Sequence, residues 1–409
     1  MFTSSKVVGI VAGLYFLVVL LPAIWGSSEV IPASAIGMAV AACLFFVAGT
    51  ALGGVVFRWD GVRSGGGLQA APRAFVWLVG LLVMIVAYVL AAGPTPPMVE
   101  AFTNPDSFAI ALLREDALKL NEDELFVRVY SWGRDLVAPV VVVLSLHAWR
   151  TRSERTVRAW AVAGLAAAFF LGLWSGQKAT VVNYLLAAFI FLSRDLRSMA
   201  LQLAKLVPVL VVVIVATFAV TQPDLFLGDS EAWPALEVLW QSIVSRLLWV
   251  PLEVAAAFVH SADDLGIVRA LDVVPYLSFL WTPGILSIEN RVAIEFYHQG
   301  IDSGHSNALA FAYAYVLGGL PGCAIGGLAM MGALRCAVLV VRATRSPLAC
   351  DALGAYLCYV LLDMLNSNFI QYMVKILVLA LLTWLAVQTW RWWRGPAPVL
   401  TDAHSAPAR

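Results

Sequence analysis

The chain has 409 residues, of which 61% are hydrophobic and 13% charged, and its 26 Lys and Arg balance 26 Asp and Glu. A soluble domain of this length cannot hide so much apolar surface, so lipid is the solvent for most of it. No nucleic-acid partner is expected.

Taken in chain order, apolar runs near the roughly 20 residues needed to cross a bilayer fall at about 7–25, 32–57, 74–92, 134–148, 159–174, 179–193, 206–220, 306–341, 349–365 and 369–390,. The run after Lys6 is too long for a cleavable signal peptide, and Leu21-Pro22-Ala23 is a poor processing site,. Between the second and third runs, Gly65-Gly66-Gly67 lacks the lysine of a phosphate-binding loop and reads as a linker,. Gly93-Pro94-Thr95-Pro96-Pro97 ends the third run and opens a long segment, 93–133,. That segment has a helix-like stretch from Phe108 to Tyr130 and acids at Glu115, Asp116, Glu122, Asp123 and Glu124. The larger segment 221–305 holds Leu236, Leu239, Trp240, Ile243, Val244, Leu247 and Leu248 at helical spacing, an apolar face that suits an interfacial or re-entrant helix,. The eighth run carries Gly318-Gly319-Leu320-Pro321-Gly322 near its middle and predicts a kinked span or two half-helices,.

Orientation follows from basic residues. With the N-terminus inside, the cytoplasmic segments hold 16 Lys or Arg against 4 acids, and the external ones 7 against 19. The fold class expected is therefore an all-α, polytopic membrane protein of about ten transmembrane helices. It forms one membrane domain, 1–409, with both termini cytoplasmic and with periplasmic segments at 93–133 and 221–305. Cys43, Cys323, Cys336, Cys350 and Cys358 all fall in apolar spans without CxxC spacing and read as small core residues,.

Charges at membrane depth are candidates for function. Lys375 lies about six residues into the last span; the alternative is that it snorkels to the interface. Lys178 follows Ser175-Gly176-Gln177 in a tight turn whose backbone amides, hydroxyl and ammonium suit an anion such as phosphate,. Arg246, on the amphipathic stretch, can grip a diphosphate through two parallel hydrogen bonds, or pair with Glu253 or a lipid headgroup. Arg291 is a weaker candidate of the same kind. His305, in Gly304-His305-Ser306-Asn307 at the mouth of the eighth span, is placed to act as a general base, or as a helix cap,.

The run His305-Ser306-Asn307, then Tyr315, then Gly318-Gly319-Leu320-Pro321-Gly322, resembles the pattern shared by bacterial O-antigen polymerases and ligases. In that pattern a histidine with Ser or Asn near it precedes a membrane helix broken by paired glycines. Ser245-Arg246 stands where these proteins carry an upstream arginine, and Gly176-Gln177-Lys178 resembles their short Gly-x-Lys turn. The chain departs from the pattern at Tyr315, where an acidic residue is usual. The resemblance implies polymerisation of undecaprenyl-diphosphate-linked oligosaccharide on the periplasmic face of the bacterial inner membrane. No cofactor and no metal are expected. The implied partners are the lipid-linked donor and acceptor, membrane lipid, a chain-length regulator and a flippase. The resemblance points to His305 and Arg246 as catalytic and to Arg246, Gln177 and Lys178 on the substrate; the cations that a departing diphosphate needs add Arg291 and Lys375 to the substrate contacts.

Three alternatives stand beside this reading. An O-antigen ligase uses the same donor. A polyprenyl-phosphate-dependent glycosyltransferase would use acids such as Glu115-Asp116, often near a metal; Glu295, His298, Asp302 and His305 also offer a metal spacing, broken by Gly300 and Gly304,. A flippase or transporter would show repeated halves, which the chain lacks.

Overall fold

The computed structural model describes residues 3–25, 31–60, 72–93, 96, 124–174, 178–193, 197–198, 250–270, 292, 294–296, 308–344, 346–365 and 369–394. Among these residues every regular element is helical. That is what lipid imposes, since a helix satisfies its own backbone groups where water cannot. Helix α1 runs through Ser4–Tyr15, a π turn at Phe16–Leu20, and Leu21–Trp25. Next come α2 (Ala33–Val56) and α3 (Pro72–Ala92). Helix α4 joins Glu124–Trp132, a π turn at Gly133–Val137, and Ala138–Thr151. The rest are α5 (Arg155–Trp174), α6 (Lys178–Leu192), α7 (Val250–Ala270), α8 (Ala310–Ala343), α9 (Pro347–Leu365) and α10 (Phe369–Arg394).

Eight of these are long and apolar enough to cross a membrane: all except α6 and α7. Helix α6, expected to span, has 15 residues, a rise of about 22 Å against a hydrocarbon core of about 30 Å,. The expected span 206–220 lies outside the described residues. Helix α4 begins at Glu124, ten residues before the expected start, so the end of segment 93–133 is continuous with a span. Residues 254–259 of α7 are buried and α7 packs on α2 and α8, so part of segment 221–305 lies among the spans. The amphipathic stretch 235–249 is outside the described residues.

Successive long helices alternate in direction, and side-chain contacts tie their ends together. At one end Lys6, only 3% exposed, donates to the carbonyl oxygens of Ile190 and, at 2.8 Å, Ser193. These carbonyls close α6, where a helix lacks internal donors and its dipole attracts a cation. At the other end the Tyr130 hydroxyl donates to the Leu171 carbonyl at 3.3 Å, and the Tyr130 and Trp174 rings lie 4.9 Å apart. We refer to the Lys6 end and the Trp174 end.

Helix α8 is the spine, with α2 running parallel along it. A Cβ on Gly49 would strike the Ala324 carbonyl, and one on Gly327 the Phe46 carbonyl. Small residues let two helix backbones approach where no hydrophobic effect separates helix from lipid. Around this spine stand α1, α7 and α10, while α3, α4, α5 and α6 form a second group that α9 joins to the first. Large apolar side chains such as Val55, Trp77 and Trp392 remain exposed, as lipid-facing residues do.

The expected break in α8 is present. Gly318 (φ −169°) and Gly319 (φ 61°, ψ −150°) leave helical geometry, with Pro321 just beyond. Across the break the Cys323 thiol donates to the Phe311 carbonyl at 3.3 Å, although 12 residues of unbroken α-helix would separate them by about 18 Å,. The first half-helix therefore lies beside the start of the second. Cys43, Cys323 and Cys358 are buried as expected; Cys336 is exposed on the flank of α8, and Cys350 is intermediate.

Candidate functional site

The site starts from an irregularity in α4. In an α-helix the Arg134 carbonyl would accept from the Ala138 amide, but that amide goes to Gly133 instead, closing a π turn. The next residue in register for a π bond is Pro139, which has no N–H to give,. The orphaned Arg134 carbonyl is taken by the Tyr184 hydroxyl of α6 at 2.5 Å. Single π turns are frequent at functional sites because they re-aim side chains without ending the helix.

Here the re-aimed side chains are Arg134 and Asp135. Their fork-to-carboxylate pairing is bidentate, Nε to Oδ1 at 2.7 Å and an Nη to Oδ2 at 2.9 Å. The guanidinium lies 5.3 Å from the centre of the Tyr130 ring, a cation–π contact,. Tyr130 is held in turn by Phe126 and Trp174. The pair keeps 17% and 35% side-chain exposure, so it is only partly buried.

Asp363 of α9 meets the same place. Its Oδ1 accepts from the Asn183 amide of α6 at 2.8 Å, and the Tyr359 hydroxyl, one turn earlier on α9, also hydrogen-bonds it. Tyr359 packs on Tyr184 with ring centres 5.6 Å apart. Asp135 and Asp363 lie within electrostatic range of one another. From Leu353 to Leu365 every residue of α9 is buried except Asp363, which is half-buried. Tyr372, on the first turn of α10, interacts with Tyr359, and the Lys375 ammonium stands 4.7 Å from the centre of the Tyr372 ring.

Four helices thus bring two carboxylates, a guanidinium, an ammonium, an amide and several phenols to the Trp174 end. Such groups are costly in an apolar bundle unless paired, and their concentration at one place marks a site. The set can hold a polyhydroxylated molecule, accept a proton and meet negative charge at its rim. Among the described residues no three His, Cys, Asp or Glu side chains converge as a metal site would need.

Of the residues singled out in the sequence, Lys375 belongs to this cluster. It is half-buried, with its charge over an aromatic face. Lys178 heads α6, the helix that carries Asn183 and Tyr184, though its side chain lies outside the described residues. Gln177, Arg246, Arg291 and His305 lie outside them too, as do Glu115, Asp116, Glu122, Asp123, His298 and Asp302. His305 precedes Ala308 by three residues and Leu309 by four, and those two are buried just before α8.

Sequence reading missed Arg134, Asp135, Asn183, Tyr184 and Asp363 as site residues. A signal existed for the first two: adjacent opposite charges four and five residues before a proline, in an otherwise apolar run. No protein-family model, no curated protein and no solved structure matches the chain.

Proposed function

We propose that this membrane protein polymerises lipid-diphosphate-linked oligosaccharide repeat units at the Trp174 end of its bundle. The asymmetry of basic residues supports an external position for that end, and the resemblance implies the periplasmic side of a bacterial inner membrane. The observation that carries the reading is the cluster of Arg134, Asp135, Asn183, Asp363, Tyr359 and Lys375, gathered at one end of the bundle instead of at mid-depth. A transporter needs its charges near the midplane, between two related halves; a transferase needs them where sugar meets lipid headgroup. The interruption of α8 at Gly318-Gly319 supports the same reading, because it falls where the resemblance to O-antigen polymerases and ligases calls for a broken helix.

The chemistry is displacement at the anomeric carbon of the donor sugar. Negative charge grows on the departing diphosphate and must be met by fixed cations. Lys375, beside the Tyr372 ring, is proposed for this role, and Arg246, Lys178 and Arg291, with Gln177, to complete the cradle. His305 is the base that the resemblance offers. The polyprenyl tail is expected to stay in lipid while its head reaches the cluster. With side-chain cations in this role, polymer formation is expected to survive EDTA.

Deletion of the gene tests the reading. A surface glycan reduced to a single repeat is the expected result. Complete loss of glycan from lipid A core makes the protein a ligase, and unchanged chain length with loss of lipid-linked sugar export makes it a flippase.

A further inference from the structure

We infer that the Lys6 end of α3, α4 and α5 holds the headgroup of an anionic phospholipid, with Arg73, Arg150, Arg155 and Arg158 gathered around its phosphate. This surface lies at the opposite end of α5 from Trp174, and the inference is independent of the polymerase reading.

The hairpin between α4 and α5 keeps its cations outward. Residues 149–158 hold four arginines and one acid, Glu154, which lies 3.6 Å from Arg152. The Arg158 Nε donates to the Arg152 carbonyl at 2.8 Å, and the guanidinium lies 5.6 Å from the centre of the Trp149 ring. One edge of that guanidinium thus ties the hairpin together while the side chain as a whole stays exposed. Arg150 and Arg155 are exposed as well. Among the described residues no carboxylate pairs with Arg73, Arg150, Arg155 or Arg158. The stretches that adjoin this end in sequence, 58–71 and 194–205, hold Arg58, Arg63, Arg194, Arg197 and Lys205 against Asp60 and Asp195, so they bring more cation than anion.

Helix α3 adds Arg73 at the same level. A Cβ on Gly164 of α5 would meet Val79 of α3, and one on Gly133 would meet both Ile85 of α3 and Leu171 of α5. The two helices therefore run side by side in one direction. Six residues back from Val79 and Gly164 stand Arg73 and Arg158, at one depth, on axes about 8–10 Å apart,. An arginine fork grips two phosphate oxygens at once, so two such forks can share one headgroup. From Arg73, Trp77 and Leu81 follow at four-residue steps, and all three are exposed; Val162 follows Arg158 in the same way. Both cations thus lead into lipid-facing apolar positions, and Trp77 stands where headgroup gives way to acyl chain. Guanidinium, then tryptophan, then aliphatic side chains is the order of surfaces that a diacyl phospholipid of net negative charge presents in complement. A soluble anion would leave the apolar part of this surface unused.

The test titrates the purified full chain, in neutral detergent, with dioleoylphosphatidylglycerol or dioleoylphosphatidylcholine and reads the lipid retained in native mass spectra. Phosphatidylglycerol is expected to bind about tenfold more tightly than phosphatidylcholine, or better. Arg73→Gln/Arg158→Gln is expected to weaken phosphatidylglycerol by about 10-fold or more, the scale set by two basic residues at an anionic membrane surface. Arg150→Gln/Arg155→Gln, which removes no contact that ties the hairpin, is expected to do the same and decides the matter if the first pair fails to fold. Arg58→Gln, which removes a cation just beyond α2 at the same end, is expected to change affinity by less than about twofold. Equal binding of the two lipids overturns the inference, as does a folded double variant within twofold of wild type. A loss from Arg58→Gln as large as from either pair would mean that charge alone acts, with no site. Displacement of the lipid by an equal concentration of glycerol 3-phosphate would make the occupant a free phosphate and sink the lipid assignment.

Discussion

The side-chain amide of Asn183 donates to the carboxylate of Asp363 at 2.8 Å, linking α6 to α9 across 180 residues of chain. The bond fixes both helices at the depth where Tyr184 and Arg134 also meet. Replacing Asn183 by Leu is expected to lower stability by about 1–2 kcal/mol, the range for interhelical hydrogen bonds in membranes. Thermal unfolding in detergent measures it, and an unchanged midpoint would show that the bond contributes nothing.

Arg134 and Asp135 form a partly buried pair, and losing one partner strands the other. Arg134→Met and Asp135→Asn are each expected to cost about 2–3 kcal/mol, somewhat less than a fully buried pair would. The double variant is expected to cost less than either single change, because no lone charge remains. A double-mutant cycle on unfolding free energies checks the sign; simple additivity of the two costs would argue against coupling.

At the break in α8, Gly319 has φ 61° and ψ −150°, a conformation that strains any residue with a Cβ,. Gly319→Ala is expected to destabilise by about 1–3 kcal/mol. Gly318→Ala is expected to be tolerated, since φ −169° is ordinary extended backbone and its Cβ would meet nothing within 4 Å. Equal effects from the two would mean that the break does not depend on this geometry.

Close packing of α2 on α8 leads to a further contrast. Gly49→Ala would press a methyl group into the Ala324 carbonyl and is expected to cost about 1–3 kcal/mol through overpacking,. Gly80→Ala, in α3 with open space around it, is expected to be neutral or to stabilise by about 0.5–1 kcal/mol through lost chain entropy,. Parallel melting curves decide between them.

Much of the fold was legible because lipid leaves the chain few options. Apolar length located eight of the ten expected spans, and the pair Gly318-Gly319 with Pro321 announced its own break. What stayed hidden was depth. Glu124 and Arg128 kept the stretch before Arg134 out of the expected span, because charges normally end a span. The Arg134 charge is met by the neighbouring Asp135 and the Tyr130 ring, and its carbonyl by Tyr184, 50 residues away. Asp363 and Asn183 are likewise unremarkable until the fold joins them. Lys375 was visible because a lone cation in an apolar run has nothing nearby to explain it.

The π turn at Gly133–Val137 adds one residue to a helix that would otherwise keep a single phase. Each residue turns an α-helix by about 100°, so the two halves of α4 point their faces in different directions. Phe126 and Tyr130 reach Trp174, while Val140 to Leu144 pack toward the interior. Shortening the turn by one residue would leave composition and hydropathy untouched, yet it would swing the aromatic face away from α5 and take Arg134 with it. The chain's most consequential residue in this stretch is therefore a surplus one, defined by its presence and not by its side chain.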